Sequence, residues 1–245
     1  MRLTVVFAAV FMSSVLGFPQ AQKPRIAVVI DDFGLTYKKN VPDSDWMKIA
    51  WPVTFAVMPE SPRTSQAAEE ARAFGHELII HFPFDPFLSL DLPKDKVSAQ
   101  DIDKVEKLLN KSFKQIPGVV GLNNHRSYRA TQNIPMMGAF MRLLKPRNIY
   151  FVDSKVSPRS VAFDQARKAG IPSASNITFL DEAKKHDKAF CIAMLRRAAA
   201  YARKHGQAVV IGHHYFHGTY EGLLEEIPKL QAQGFEFVFA SALVH

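Results

Sequence analysis

Short apolar runs without polar alternation recur along this chain, and stretches with helical spacing fill the gaps between them. Residues 25–30 read Arg-Ile-Ala-Val-Val-Ile and are stopped by Asp31-Asp32-Phe33-Gly34. Such a run suits a parallel strand covered on both faces. A second strand is expected at 53–57, ended by Met58-Pro59, then a helix over 63–74 closed by Gly75, then a third strand at 78–80. Ser98 with Asp101 three residues later predicts a capping box for a helix whose apolar positions Ile102, Val105, Leu108 and Leu109 share one face, with Pro117-Gly118 ending the unit. Further strands are expected at 119–122, 149–152, 173–179, 209–211 and 235–239, with helices between most of them. The longest irregular stretch is 83–97. Strands alternating with helices predict an α/β fold with a parallel sheet, barrel-like or doubly wound, and seven or eight units favour the barrel.

The start of the chain departs from this rhythm. Met1-Arg2 precedes an apolar run over 5–16, with small residues at Gly17 and Ala21. That is the pattern of an export signal and is shorter than the ~20 residues a membrane span needs. The expected organisation is therefore a signal over 1–21 and one domain over 22–245, periplasmic or secreted, with no stable span after cleavage. Losing Arg2 takes the formal charge from +8 to +7, so the remaining chain stays basic. Its cations are scattered, without aromatic interleaving or a nucleic-acid module, and a nucleic-acid partner is not expected. The single cysteine, Cys191, excludes an intramolecular disulfide and reads as a small buried hydrophobe.

Polar residues of catalytic type gather just after the strands. Asp31-Asp32 follow the first, His81 the third, Asn123-Asn124-His125 the fourth, Asp153-Ser154 the fifth, and His213-His214 the run 209–211. In parallel α/β folds ligands bind at the carboxyl ends of the strands. A carboxylate at a strand end also caps helices, and a lone histidine also serves a core. Together, an Asp and two His offer three ligands with a position left for water, the catalytic zinc pattern. Adjacent carboxylates can divide the work, one binding a cation while its neighbour takes a proton.

Val28-Val29-Ile30-Asp31-Asp32-Phe33-Gly34, Val53-Thr54-Phe55-Ala56-Val57 and Gly75-His76-Glu77-Leu78-Ile79-Ile80-His81 resemble successive blocks of the polysaccharide deacetylases. Gly121-Leu122-Asn123-Asn124-His125, Phe151-Val152-Asp153-Ser154 and Ile211-Gly212-His213 resemble further blocks of the divergent, envelope-associated bacterial branch of that family. The resemblance covers nearly all of residues 25–240. It implies a distorted (β/α) barrel and a divalent metal, zinc by preference, acting on an acetylated or anionic glycan. It also implies Asp31 as catalytic base, Asp32 and His81 as metal ligands, and His213 as acid. The typical second histidine ligand stands four residues after the first, where this chain has Asp85. The divergent branch takes its third ligand from the Asn-Asn-His block instead, which implies His125, with Asp85 as an alternative carboxylate ligand or a turn residue beside Pro86.

Two departures from the branch bear on substrate. Arg126-Ser127-Tyr128 stands where Met-Gly-Ser is usual, and His214 where Pro is common. Arg126 and Arg129 are candidates for a sugar carboxylate or phosphate, which guanidinium binds at two points. Asn124, Asp153 and His214 complete the residues expected around substrate. A hydrolase that frees acetate from a glycan is the leading expectation, and a glycan-binding envelope scaffold that keeps the fold without turnover is the alternative.

Overall fold

The computed structural model describes residues 22–36 and 41–245, so the expected signal over 1–21 lies outside the described residues. The elements are β1 (Arg25–Phe33), α1 (Asp43–Met47), β2 (Thr54–Val57), α2 (Thr64–Ala73), β3 (Glu77–Pro83), α3 (Ala99–Gln115), β4 (Gly121–His125), α4 (Ile134–Leu144), β5 (Tyr150–Asp153), α5 (Ala162–Lys168), β6 (Ser173–Phe179), α6 (Lys188–His205), β7 (Gln207–His213), α7 (His217–Ala232) and β8 (Glu236–Val238).

Each of β1 to β7 pairs in parallel with its neighbour, and β7 pairs with β1 over Arg25 to Asp31, closing a seven-stranded barrel. The short β8 lies along the first three residues of β1, on the edge that β2 reaches only from Val29 onward. The expected (β/α) barrel is thus the observed one. Strands β1, β3, β4, β5 and β7 extend further towards their carboxyl ends than the apolar runs suggest, because the polar residues that stop those runs remain in the ladder.

Successive side chains of a strand point to opposite faces, and this sorts the core into two parts. Ile26, Val28 and Ile30 of β1 pack outward with the helices, whereas Ala27 and Val29 join Ile79, Val152, Val209 and Ile211 inside the barrel. Ala240 and Leu243 of the final 3-10 turn close the amino-terminal end of this interior. One step further along each strand, the same inward parity arrives at Asp31, His81 and His213. Apolar filling therefore gives way to polar chemistry at the carboxyl end.

The helix ends follow local chemistry. Ser98 accepts from the Asp101 N–H at 3.0 Å and donates to its carboxylate at 2.6 Å, so the expected cap forms with Asp101 returning to the Ser98 hydroxyl. Asp187 and Asn133 cap α6 and α4 in the same manner. Gly206, at φ 88°, ends α6 in the left-handed conformation that glycine adopts without strain. Cys191 is fully buried on α6, and burial pushes its thiol up to about 12, as suits a core residue without chemistry.

Candidate active site

The adjacent acids of β1 reach one site because the strand is irregular there. Ile30 pairs with Phe55, but Phe33 pairs with Val57, so β1 holds one residue more than β2 across this interval. Asp32 takes φ 73°. This bulge turns aside the alternation that would send Asp31 and Asp32 to opposite faces. A non-glycine residue in left-handed backbone is a strained choice that recurs at functional sites.

Three ligand atoms converge beside it. Asp32 Oδ1 lies 3.3 Å from His81 Nε2 and 3.0 Å from His125 Nδ1, and the two histidine nitrogens are 2.9 Å apart. Asp32 Oδ1 is buried and makes no hydrogen bond of good geometry, as suits an oxygen waiting for a cation. The donor set of one carboxylate and two imidazoles with an open side therefore fits a catalytic zinc site. Burial alone would raise the Asp32 carboxyl, but the His125 and His81 nitrogens outweigh it and hold the group well below the usual carboxylate range. Burial lowers His125, so its ring favours the neutral form a metal ligand needs.

Asp31 is buried and raised above its ordinary value by that burial, which suits a group that accepts a proton. Its Oδ2 lies 3.5 Å from His81 Nε2, while its Oδ1 accepts from Asn123 Nδ2 at 2.8 Å. His213, at the end of β7 next to Asp31 in register, lines the same cleft of about 370 Å³. Asp181 meets His213 Nδ1 at 2.5 Å, and also accepts from the His213 backbone N–H at 2.8 Å and from Thr219 Oγ1 at 2.6 Å. Burial opposes the charged imidazole, but Asp181 prevails and raises His213 to about 9.

The residues expected around substrate divide. Asn124 and Arg126 line the cleft. Asn124 also ties the strand ends together, accepting from the Ser154 N–H at 2.9 Å and donating to the Arg126 carbonyl at 3.2 Å. Three others lie away from the cleft lining, which corrects their expected placement. The Arg129 guanidinium donates to the Leu92 carbonyl. Asp153 is fully buried and accepts from Lys155 N, Ser160 Oγ and Phe163 N. The His214 ring is buried against Phe33. Strand alternation explains two of these, because Val152 and His213 point inward and Asp153 and His214 therefore turn out. Asp85 accepts from the backbone N–H groups of Arg129 and Ala130, at 3.1 and 2.8 Å, and so serves the turn that follows β4.

Two site residues escaped sequence reasoning. Asp181 stands two residues beyond β6, so the strand-end rule that located the other acids also reaches it. Asn123 was visible only as part of a block, since its value lies in bridging two groups distant in sequence.

Comparison with known proteins bears on the fold and the family. The chain is 31% identical over 192 residues to the uncharacterized protein YibQ of Escherichia coli K12, covering 77% of this chain and 58% of YibQ, so it spans less than two thirds of that relative. It is 28% identical over 210 residues to an uncharacterized Haemophilus influenzae protein, covering 85% of this chain and 72% of the relative. An uncharacterized protein from Agrobacterium tumefaciens C58 shares the fold, with a TM-score of 0.78, 22% identity, and coverage of 93% of this chain and 92% of the other. The catalytic domain of a peptidoglycan N-acetylglucosamine deacetylase from Eubacterium rectale also shares it, with a TM-score of 0.58, 14% identity and 90% coverage of each chain. The family model described as divergent polysaccharide deacetylase matches residues 28–244, and the chain belongs to that family.

Proposed function

We propose that this protein is an exported, metal-dependent hydrolase that removes acetyl groups from an envelope glycan. The observation that carries the reading is the facing of two unlike devices across one cleft. One is the Asp32, His81 and His125 ligand cluster beside Asp31, and the other is the His213 and Asp181 pair. A zinc ion held by the three ligands would supply Lewis acidity, polarising the acetyl carbonyl and making water a nucleophile near neutral pH. Asp31 takes the proton of the attacking water. His213 enters as the imidazolium and gives its proton to the sugar nitrogen or oxygen as its bond to the acetyl carbon breaks, so acetate and the free amine or alcohol depart. Asp181 holds the His213 ring in the required tautomer and favours its charge.

Arg126 and the exposed ring of Tyr128 stand at the cleft mouth, Arg126 with no acidic partner among the described residues. They suit an acidic substituent and a sugar face respectively. They also favour the second reading, a glycan binder without turnover. The export assignment rests on the expected signal, and no described helix is long and apolar enough to cross a membrane.

Metal content of the purified wild type against His81→Ala and His125→Ala, with acetate release from acetylated envelope glycans, tests the first reading. The expected result is a bound divalent ion in the wild type and loss of both metal and acetate release in the variants. Equal metal in all three would sink it. Asp31→Asn separates the two readings in cells, because it abolishes an enzyme's role and leaves a binder's role intact.

A further inference from the structure

Asn123 is fully buried, and in the β3–β4 ladder it stands directly opposite His81. Its amide makes two hydrogen bonds to the two halves of the site. Nδ2 donates to Asp31 Oδ1 at 2.8 Å, and Oδ1 meets His81 Nδ1 at 2.7 Å. The orientation of the amide follows from chemistry. An ionised carboxylate only accepts, so the NH2 must face Asp31 and the amide oxygen must face His81. An amide oxygen also only accepts, so His81 carries a proton on Nδ1, which leaves Nε2 as the nitrogen for an ion held between it, Asp32 and His125.

We infer that Asn123 is a positioning residue that sets two things at once: the metal-binding tautomer of His81, and the rotation of Asp31 that leaves its Oδ2 free for water. This rests on the reading of Asp32, His81 and His125 as metal ligands. The comparison within the same cleft supports it. His213 Nδ1 meets a carboxylate, Asp181, which favours an imidazolium, whereas His81 Nδ1 meets a neutral amide, which fixes a tautomer without adding charge beside Asp31. Two histidines of one site are thereby assigned different tasks by the group behind each.

Two variants divide the two hydrogen bonds. N123L keeps the branched skeleton, with bulkier methyl groups, and loses both, and N123D keeps the acceptor for His81 while losing the amide donor to Asp31. Zn2+ affinity, read by competition with a chromophoric chelator, is expected to fall about 10- to 100-fold in N123L, the range for loss of an outer partner of a ligating histidine. The visible absorption of the Co2+ form should change with it. N123D is expected to keep affinity within about threefold of the wild type, since the histidine keeps its acceptor. At saturating Zn2+, N123D should still lose most hydrolysis of p-nitrophenyl acetate, because Asp31 is left without its donor or shares a proton with the new carboxylate.

Wild-type Zn2+ affinity and an unchanged Co2+ spectrum in N123L overturn the role of Asn123. A wild type that binds no Zn2+ overturns the proposed function and this role with it. Should N123L fail to fold by circular dichroism, N123D decides, and hydrolysis equal to the wild type at saturating Zn2+ overturns the inference.

Discussion

His213 and Asp181 show how a single partner sets the working range of a side chain. His213 is raised to about 9 in the folded protein, so its imidazolium persists across neutral pH. The proposed deacetylation is therefore expected to fall as pH rises through about 9, where the acid is lost. In Asp181→Asn the alkaline limb should move down towards the ordinary histidine value of ~6.5, with kcat affected more than KM. A pH–rate profile of the two proteins checks this, and a limb that stays in place refutes the assignment of His213 as acid. The sign for stability is the same. A raised histidine contributes fully below ~6.5 and loses its contribution as pH climbs through about 9. The wild type should thus lose more stability than Asp181→Asn between those pH values.

Among the elements, β1 carries the most consequential irregularity. A regular strand delivers Asp31 to the barrel interior and Asp32 to the helices, and only the extra residue opposite β2, with Asp32 at φ 73°, places both acids at one cleft. That geometry is not readable from an apolar run ended by two acids. The run itself was, as were the strand ends bearing His81, His125 and His213 and the Ser98 cap. Asp153 and His214 were misplaced because proximity to a strand end was taken without the parity of the strand. Asn123 and Asp181 act through partners far away in sequence, and no local pattern records such a pairing. Strain at Asp32 leads to a further expectation. Asp32→Gly relieves the left-handed backbone but removes a carboxylate that the His125 and His81 nitrogens hold ionised, so at neutral pH the metal-free protein should lose stability on balance while metal binding is lost. Thermal melts in a chelator, set beside metal titration, read both effects, and an Asp32→Gly protein more stable than the wild type shows the relieved strain outweighing the lost pairing.

For the whole molecule, the apolar interior and the cleft form one continuous column. Alanine, valine and isoleucine fill it up to the level where Asp31, His81 and His213 begin, and the last 3-10 turn closes the opposite end. The proposed ligand set is drawn from β1, β3 and β4 and comes together only when those strands are in register. Zn2+ at about one hundred times its dissociation constant should accordingly stabilise the folded state by ~2.7 kcal/mol. Differential scanning calorimetry should show a raised Tm for the wild type and no shift for His81→Ala. An equal shift in both would place the ion elsewhere.

The seam between β1 and β7 gives this a final turn. Asp31 pairs in register with His213, so the proposed base and acid are neighbours across the junction where the first strand of the barrel meets its last. Any intermediate that has yet to zip that junction holds the halves of the reaction apart. The proposed activity would thus report on closure, and a chain released before β7 is laid down would carry the proposed ligands of an ion without the proposed acid.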